Sequence, residues 1–225
     1  MVSSEIRSAI KELSSLVAIK LETGGAASSS SGDHQQLTSA QLPIKPFLSL
    51  CNVLIQILDK IGPTMAVLRQ DIHQNIQRLE NFYDSDPTLY WDVVEILKKE
   101  VNEGKATKGP TCSKSFVWLT RSLDFTLVLL QLLMKDFQRN MEQVVEESYN
   151  ITLKPWHGWI SSAAYKVALR LVPDTQTLVN ILKDKDEDCD MLKEEIHNLI
   201  SLLMPVLEHN KDILRNYGLD KLKAT

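Results

Sequence analysis

The stretch PTMAVLRQDIHQNIQRLENFY, residues 63–83, decides the fold. Its apolar residues Leu68, Ile72, Ile76, Leu79 and Tyr83 recur at intervals of four, four, three and four, which places them on one face of an α-helix. Gly62-Pro63 breaks the helix before it, and Pro63 suits the first turn of this one. The same period runs outward in both directions. Upstream, a helix opening near Pro46 carries Phe47, Leu50, Cys51, Leu54, Ile57 and Leu58, and Ile6, Ile10, Leu13 and Leu16 mark an earlier one. Downstream, Asp86-Pro87 reads as the cap and first position of another helix, and a long apolar helix is predicted from Thr111 to about Asn140. Pro155 opens a further helix and Asp174 caps the next. The last carries Leu192, Ile196, Leu199, Leu203 and Leu207, with a kink expected at Pro205. No segment sustains period-two alternation. Several of these helices are apolar over more than half their circumference, so each must be buried between others. The expected fold is therefore all-α, a two-layer helical sandwich of about eight helices.

Composition sets the outer limits. The chain has 225 residues, of which 44% are hydrophobic and 24% charged, enough for a sizeable core. Thr23 to Ala40 is rich in Gly, Ser and Ala and reads as a flexible loop within a single domain spanning residues 1–225. The net charge of −4 argues against nucleic acid as a partner, because phosphate binding needs a concentrated basic surface. Cys51, Cys112 and Cys189 are odd in number and scattered, which fits a reducing compartment. Met1 to Lys20 carries charges throughout and is no signal peptide, and the longest stretch without an ionised side chain, Pro46 to Leu58, is too short to span a bilayer. The expectation is a cytosolic protein.

The most informative polar residues lie on the deciding helix itself. Asp71, Asn75 and Arg78 stand at i, i+4 and i+7, each one position before a core residue, and so line the edge of the apolar face. Such a file is either a solvated helix face with an internal ion pair or a recognition platform for hydroxyls and an amide. On the long helix, Lys114, Trp118, Arg121 and Phe125 share a face, and an indole beside basic residues offers a plane for stacking a sugar. Lys154-Pro155-Trp156-His157-Gly158-Trp159 sets two tryptophans around a histidine. One of the two must point away from the other. An exposed Trp159 suits a membrane–water interface, with Lys154, Lys166 and Arg170 as cations for anionic lipid. An enzyme is not expected. Asp71 and His157 could form an acid–base pair, but no nucleophile elbow, phosphate-binding glycine loop or metal-ligand spacing accompanies them. No cofactor is called for.

Taken together, Asp71-Ile72-His73-Gln74-Asn75-Ile76, Tyr83-Asp84-Ser85-Asp86-Pro87, Trp118-Leu119-Thr120-Arg121 and Trp156-His157-Gly158-Trp159-Ile160 resemble the glycolipid transfer protein family, its plant members above all. The resemblance runs from about Pro43 to near the C-terminus. It implies a two-layer all-α fold that encloses the hydrocarbon chains of one sphingolipid and moves it between membranes without chemistry, as a monomer in transient peripheral contact with the bilayer. It further implies that Asp71 and Asn75 bond sugar hydroxyls, Asp71 and His157 hold the ceramide amide, Trp118 stacks under the first sugar, and Trp159 docks on the membrane. Arg78 stands where the sugar-binding branch usually has Lys. Asn75 and Trp118 are the residues of the neutral-sugar branch, whereas Lys114 stands where the ceramide-1-phosphate branch has a second Arg. The implied ligand is a glycosylceramide. The alternatives are a phosphorylated or inositol-phosphate head group, or a lipid-sensing adaptor that acts through a protein partner.

Overall fold

The computed structural model describes residues 5–24, with side chains to 18, together with 41–183 and 188–224. Among them are nine α-helices and one 3-10 turn, Pro63–Met65. The helices are α1 (Glu5–Gly24), α2 (Ile44–Ile61), α3 (Ala66–Ser85), α4 (Val93–Asn102), α5 (Cys112–Lys135), α6 (Met141–Thr152), α7 (Trp159–Leu169), α8 (Thr175–Leu182) and α9 (Cys189–Asn216). Helix α1 runs to Gly24, past the predicted start of the loop at 23–40. The remainder of that loop lies outside the described residues.

Contacts close a ring. α1 packs on α2, α2 on α3, α3 on α5, α5 on α9, and α9 back on α1. Helices α4 and α6 flank α5, α8 rests on α2, and α7 hangs from α6. This is the two-layer all-α sandwich that the periodicity demands. α5 is long and apolar enough to cross a membrane by length and composition, but here it lies between α3, α4, α6 and α9. Inside the ring, Leu50, Val53, Leu54, Leu123, Leu130, Leu199 and Leu203 interleave around an apolar cavity of about 50 Å³. That is room for a few water-sized groups. Large aliphatic side chains from facing helices meet there and pack, so among the described residues this cavity is far smaller than a lipid chain.

Three boundaries differ from the sequence reading, two of them because a side-chain cap stands elsewhere. Asp86 does not open a helix. Its carboxylate accepts from Leu89 N–H in a turn, and the cap of α4 comes six residues later, at Asp92. Asp92 Oδ1 accepts from both Val94 N–H (3.0 Å) and Leu42 N–H (2.9 Å), so one buried carboxylate caps α4 and pins the start of α2. The helix predicted to reach Asn140 ends at Lys135, and Asn140 instead caps α6, a separate helix, by accepting from Gln143 N–H. Pro155 sits in a turn, and α7 opens at Trp159 behind Gly158. Thr111 and Asp174 cap as expected, and Leu68, expected in the core, is 43% exposed at the outer end of α3.

Candidate functional site

On α3 the polar file is real and internally bonded. Asn75 Nδ2 donates to the main-chain carbonyl of Asp71 at 2.9 Å, while its Oδ1 accepts from Arg78 Nη1 at 3.3 Å. These two bonds fix the orientation of the amide and leave one N–H and one lone pair free. Arg78 Nη1 also donates to Ser115 Oγ at 2.6 Å, across the α3–α5 contact. Ser115 is fully buried, so the guanidinium is held by a neighbour with little room to move. The Asp71 carboxylate accepts no hydrogen bond among the described residues. The residue's edge is open to solvent, but surrounding protein crowds its carboxyl. Desolvation raises its pKa, and the Arg78 charge only partly offsets this. A carboxylate with no internal hydrogen bond can accept from any donor that arrives.

Helix α5 supplies the second wall. Its N-terminus is fastened by Glu100 of α4, which is buried. Glu100 accepts from Cys112 N–H (2.9 Å), Ser113 N–H (2.7 Å) and Ser113 Oγ–H (2.6 Å). That anchor sets the register of Lys114, Ser115 and Trp118. Lys114 and Trp118 are half-buried one turn apart, and the Lys114 ammonium has no partner among the described residues.

The third wall is the turn between α6 and α7. His157 places its ring 5.6 Å from Trp118 and 5.5 Å from Tyr149, centroid to centroid. Its Nδ1 is buried and has no hydrogen-bond partner among the described residues. Burial, then the positive charge of Arg121, push its pKa below the ordinary histidine value, so the ring is neutral near pH 7 and able to donate one hydrogen bond. The two tryptophans part as expected: Trp156 turns inward over Arg121 at 4.2 Å, and Trp159 is 82% exposed. No hydrogen bond joins Asp71 to His157 among the described residues. The link between them runs from Arg78 to Ser115 and from Trp118 to His157.

Ser115, Glu100 and Tyr149 also shape the site, and sequence reading does not find them. Of these only Glu100 leaves a signal, a charge on the apolar stripe Val93, Ile96, Leu97 of α4. Helical spacing puts Arg121 on the face of Trp118 without assigning it a part in the site.

A family model described as "Glycolipid transfer protein (GLTP)" matches residues 42–184. The chain belongs to the glycolipid transfer protein family. Arabidopsis thaliana glycolipid transfer protein 3 is 53% identical over 221 residues, which cover 98% of this chain and 92% of that one. A solved structure of FAPP2, which selects simple glycosphingolipids using the same fold, superposes with a TM-score of 0.75 at 21% identity, covering 84% of this chain and 92% of that one. A point mutant of the Arabidopsis accelerated-cell-death 11 protein bound to ceramide-1-phosphate superposes with a TM-score of 0.78 at 15% identity, covering 97% of this chain and 98% of that one. The glycolipid transfer protein fold therefore extends over nearly the whole chain.

Proposed function

We propose that this member of the family carries one sphingolipid, a glycosylceramide, between membranes and performs no chemistry on it. The observation that carries this reading is a polar rim, with Asp71 exposed and its carboxylate free of internal hydrogen bonds and His157 Nδ1 buried without a partner among the described residues, beside a helical ring whose interior is largely aliphatic. A lipid resists leaving a bilayer because each exposed methylene costs about 0.8 kcal/mol, on the order of 20 kcal/mol for a ceramide. A protein that offers its own apolar interior lowers that barrier with no covalent step.

In this reading Asp71 accepts from sugar hydroxyls and the ceramide amide N–H, and His157 donates to the ceramide carbonyl. Asn75 and Arg78 bond further hydroxyls, Trp118 stacks under the first sugar, and Lys114 adds a donor at the rim. Because the cavity is smaller than a lipid chain, the chains enter as helices of the ring separate. Residues 1–225 act as a single lipid-transfer domain, monomeric and cytosolic.

Membrane contact falls to α7. None of its residues is buried, and Trp159, Ile160, Ala163, Ala164, Val167 and Leu171 form an exposed apolar stripe at helical spacing. Lys154, Lys166 and Arg170 stand exposed along it without carboxylate partners among the described residues. An interfacial helix of this kind gains from apolar burial and from anionic lipid. The test is transfer of fluorescent glucosylceramide between vesicles containing phosphatidylserine. The wild-type chain is expected to transfer, and Trp159→Ala to lower the rate about tenfold, in keeping with about 1.5–3 kcal/mol for a large buried apolar side chain. No transfer by the wild type would sink the carrier reading, and an unaffected Trp159→Ala the docking role.

A second reading, a phosphorylated head group, is favoured by the unpaired Lys114, which directly precedes the Ser115 that Arg78 bonds, against the single carboxylate of Asp71. Replacing both Asn75→Lys and Trp118→Arg exchanges a stacking plane for charge-assisted bonds. The double variant is expected to shift relative transfer from glucosylceramide toward ceramide-1-phosphate by about tenfold or more, each charge-assisted bond being worth about 1.5–3 kcal/mol. An unchanged ratio would place the choice elsewhere in the site.

A further inference from the structure

Arg121 is 7% exposed, yet no carboxylate meets it among the described residues. Nη2 donates to the main-chain carbonyl of Asp220 at 3.0 Å, and Nη1 is buried without a partner. Burial pulls the pKa of this guanidinium down to about 10, even though the Asp220 charge opposes the change. Burying a cation without a counter-ion is costly, and an apolar side chain of similar volume commonly fills such a place with a gain in stability. Arg121 is held instead by two indoles. Its guanidinium carbon lies 4.9 Å from the centre of the Trp118 ring and 4.2 Å from that of Trp156. The groups around the guanidinium come from three parts of the chain: Trp118 from α5 itself, Trp156 from the turn before α7, and the Asp220 carbonyl from the segment after α9. That last segment is fastened to the same turn by a hydrogen bond from Ala224 N–H to the Trp156 carbonyl at 2.8 Å.

We propose that Arg121 is a positioning residue for the sugar platform, clamped between the two indoles so as to fix the plane of Trp118 against which a sugar stacks. This rests on the glycolipid reading of the site. Trp118 has two side-chain torsions, and at i, i+3 on one helix the cation covers part of one of its faces. Turning the indole out of plane forfeits that contact in a site where little water can replace it. The opposite face is then offered in one orientation, already set before the ligand arrives, and preorganisation of this kind raises affinity without a new contact. Trp156 completes the clamp, and the Asp220 carbonyl sets its depth.

The experiment is a double-mutant cycle in glucosylceramide transfer between phosphatidylcholine vesicles. It uses the full chain, wild type, Arg121→Met, Trp118→Ala and the double variant. Arg121→Met is expected to lower transfer about tenfold in the wild-type background, as a desolvated cation–π contact implies, and less than about twofold once Trp118 is gone. The same factor in both backgrounds, or no loss at all, overturns the proposal, because a residue that only supports the fold acts independently of Trp118. If Arg121→Met does not fold, Arg121→Lys, which keeps the charge but not the planar surface, takes its place. It is expected to lose about threefold, again only when Trp118 is present. A wild-type chain that moves no glucosylceramide overturns the parent reading and this one with it. A transferring wild type with an indifferent Arg121 overturns this one alone.

Discussion

Asp71→Val is expected to lower glucosylceramide transfer about a hundredfold while leaving the protein folded. The residue is exposed and its carboxylate accepts no hydrogen bond among the described residues, so its removal breaks no internal hydrogen bond. What is lost is the ligand's partner. Two hydrogen bonds to an ionised acceptor contribute about 3 kcal/mol together, which is about two decades in affinity. Valine is close to aspartate in size and the position is exposed, so packing of α3 on α5 should persist and circular dichroism should be unchanged. His157→Leu is expected to cost about tenfold, since a neutral imidazole contributes one ordinary hydrogen bond whose loss leaves a buried carbonyl unpaired. Vesicle-to-vesicle transfer of the fluorescent lipid measures both. Wild-type rates in the two variants would show that neither group touches the lipid, and the proposed carrier mechanism would then have no head-group site.

The second large effect is on stability. Glu100→Ala is expected to lower the free energy of unfolding by about 3–5 kcal/mol, read from a urea titration. Three bonds end on this carboxylate, two of them from main-chain N–H groups at the start of α5. Buried donors left without acceptors cost about 1–3 kcal/mol each. The Glu100 main chain also binds the loop between α4 and α5, accepting from Lys105 and Ala106 N–H, so the anchor holds both the entrance to α5 and the turn before it. Because α5 carries Lys114, Ser115 and Trp118, fraying of its first turn should weaken lipid transfer as well. Glu100→Gln retains one acceptor oxygen and should lose roughly half as much. A loss below about 1 kcal/mol in Glu100→Ala would mean that water replaces the carboxylate at that helix end.

Much of the fold is legible locally. Apolar residues at 3.6-residue spacing arise from helix geometry alone, so α2, α3, α5 and α9 are all visible in the sequence, and Thr111 and Asp174 announce their own caps. Where two caps compete, the sequence does not choose. Asp86 and Asp92 are equally good cap residues. Asp92 prevails because its oxygen also reaches Leu42 N–H, 50 residues earlier. The site divides in the same way. Asp71, Asn75 and Arg78 lie on one helix edge, so their common face is legible from spacing, and His157 and Trp159 stand out by composition.

Other features depend on partners distant in the chain. Spacing alone cannot say which tryptophan of the pair faces inward; the Arg121 guanidinium decides it by lying over Trp156. Nor can it say that Arg78 is held by Ser115, 37 residues on, or that the Arg121 guanidinium is bound by the Asp220 carbonyl, 99 residues on. The all-α character, the helix faces and the polar edge of α3 are readable along the chain, because these come from the turn of one helix. Only the tertiary structure decided which charges are buried, what compensates them and how tightly the aliphatic interior closes, because desolvation and packing depend on groups that meet only when the helices do.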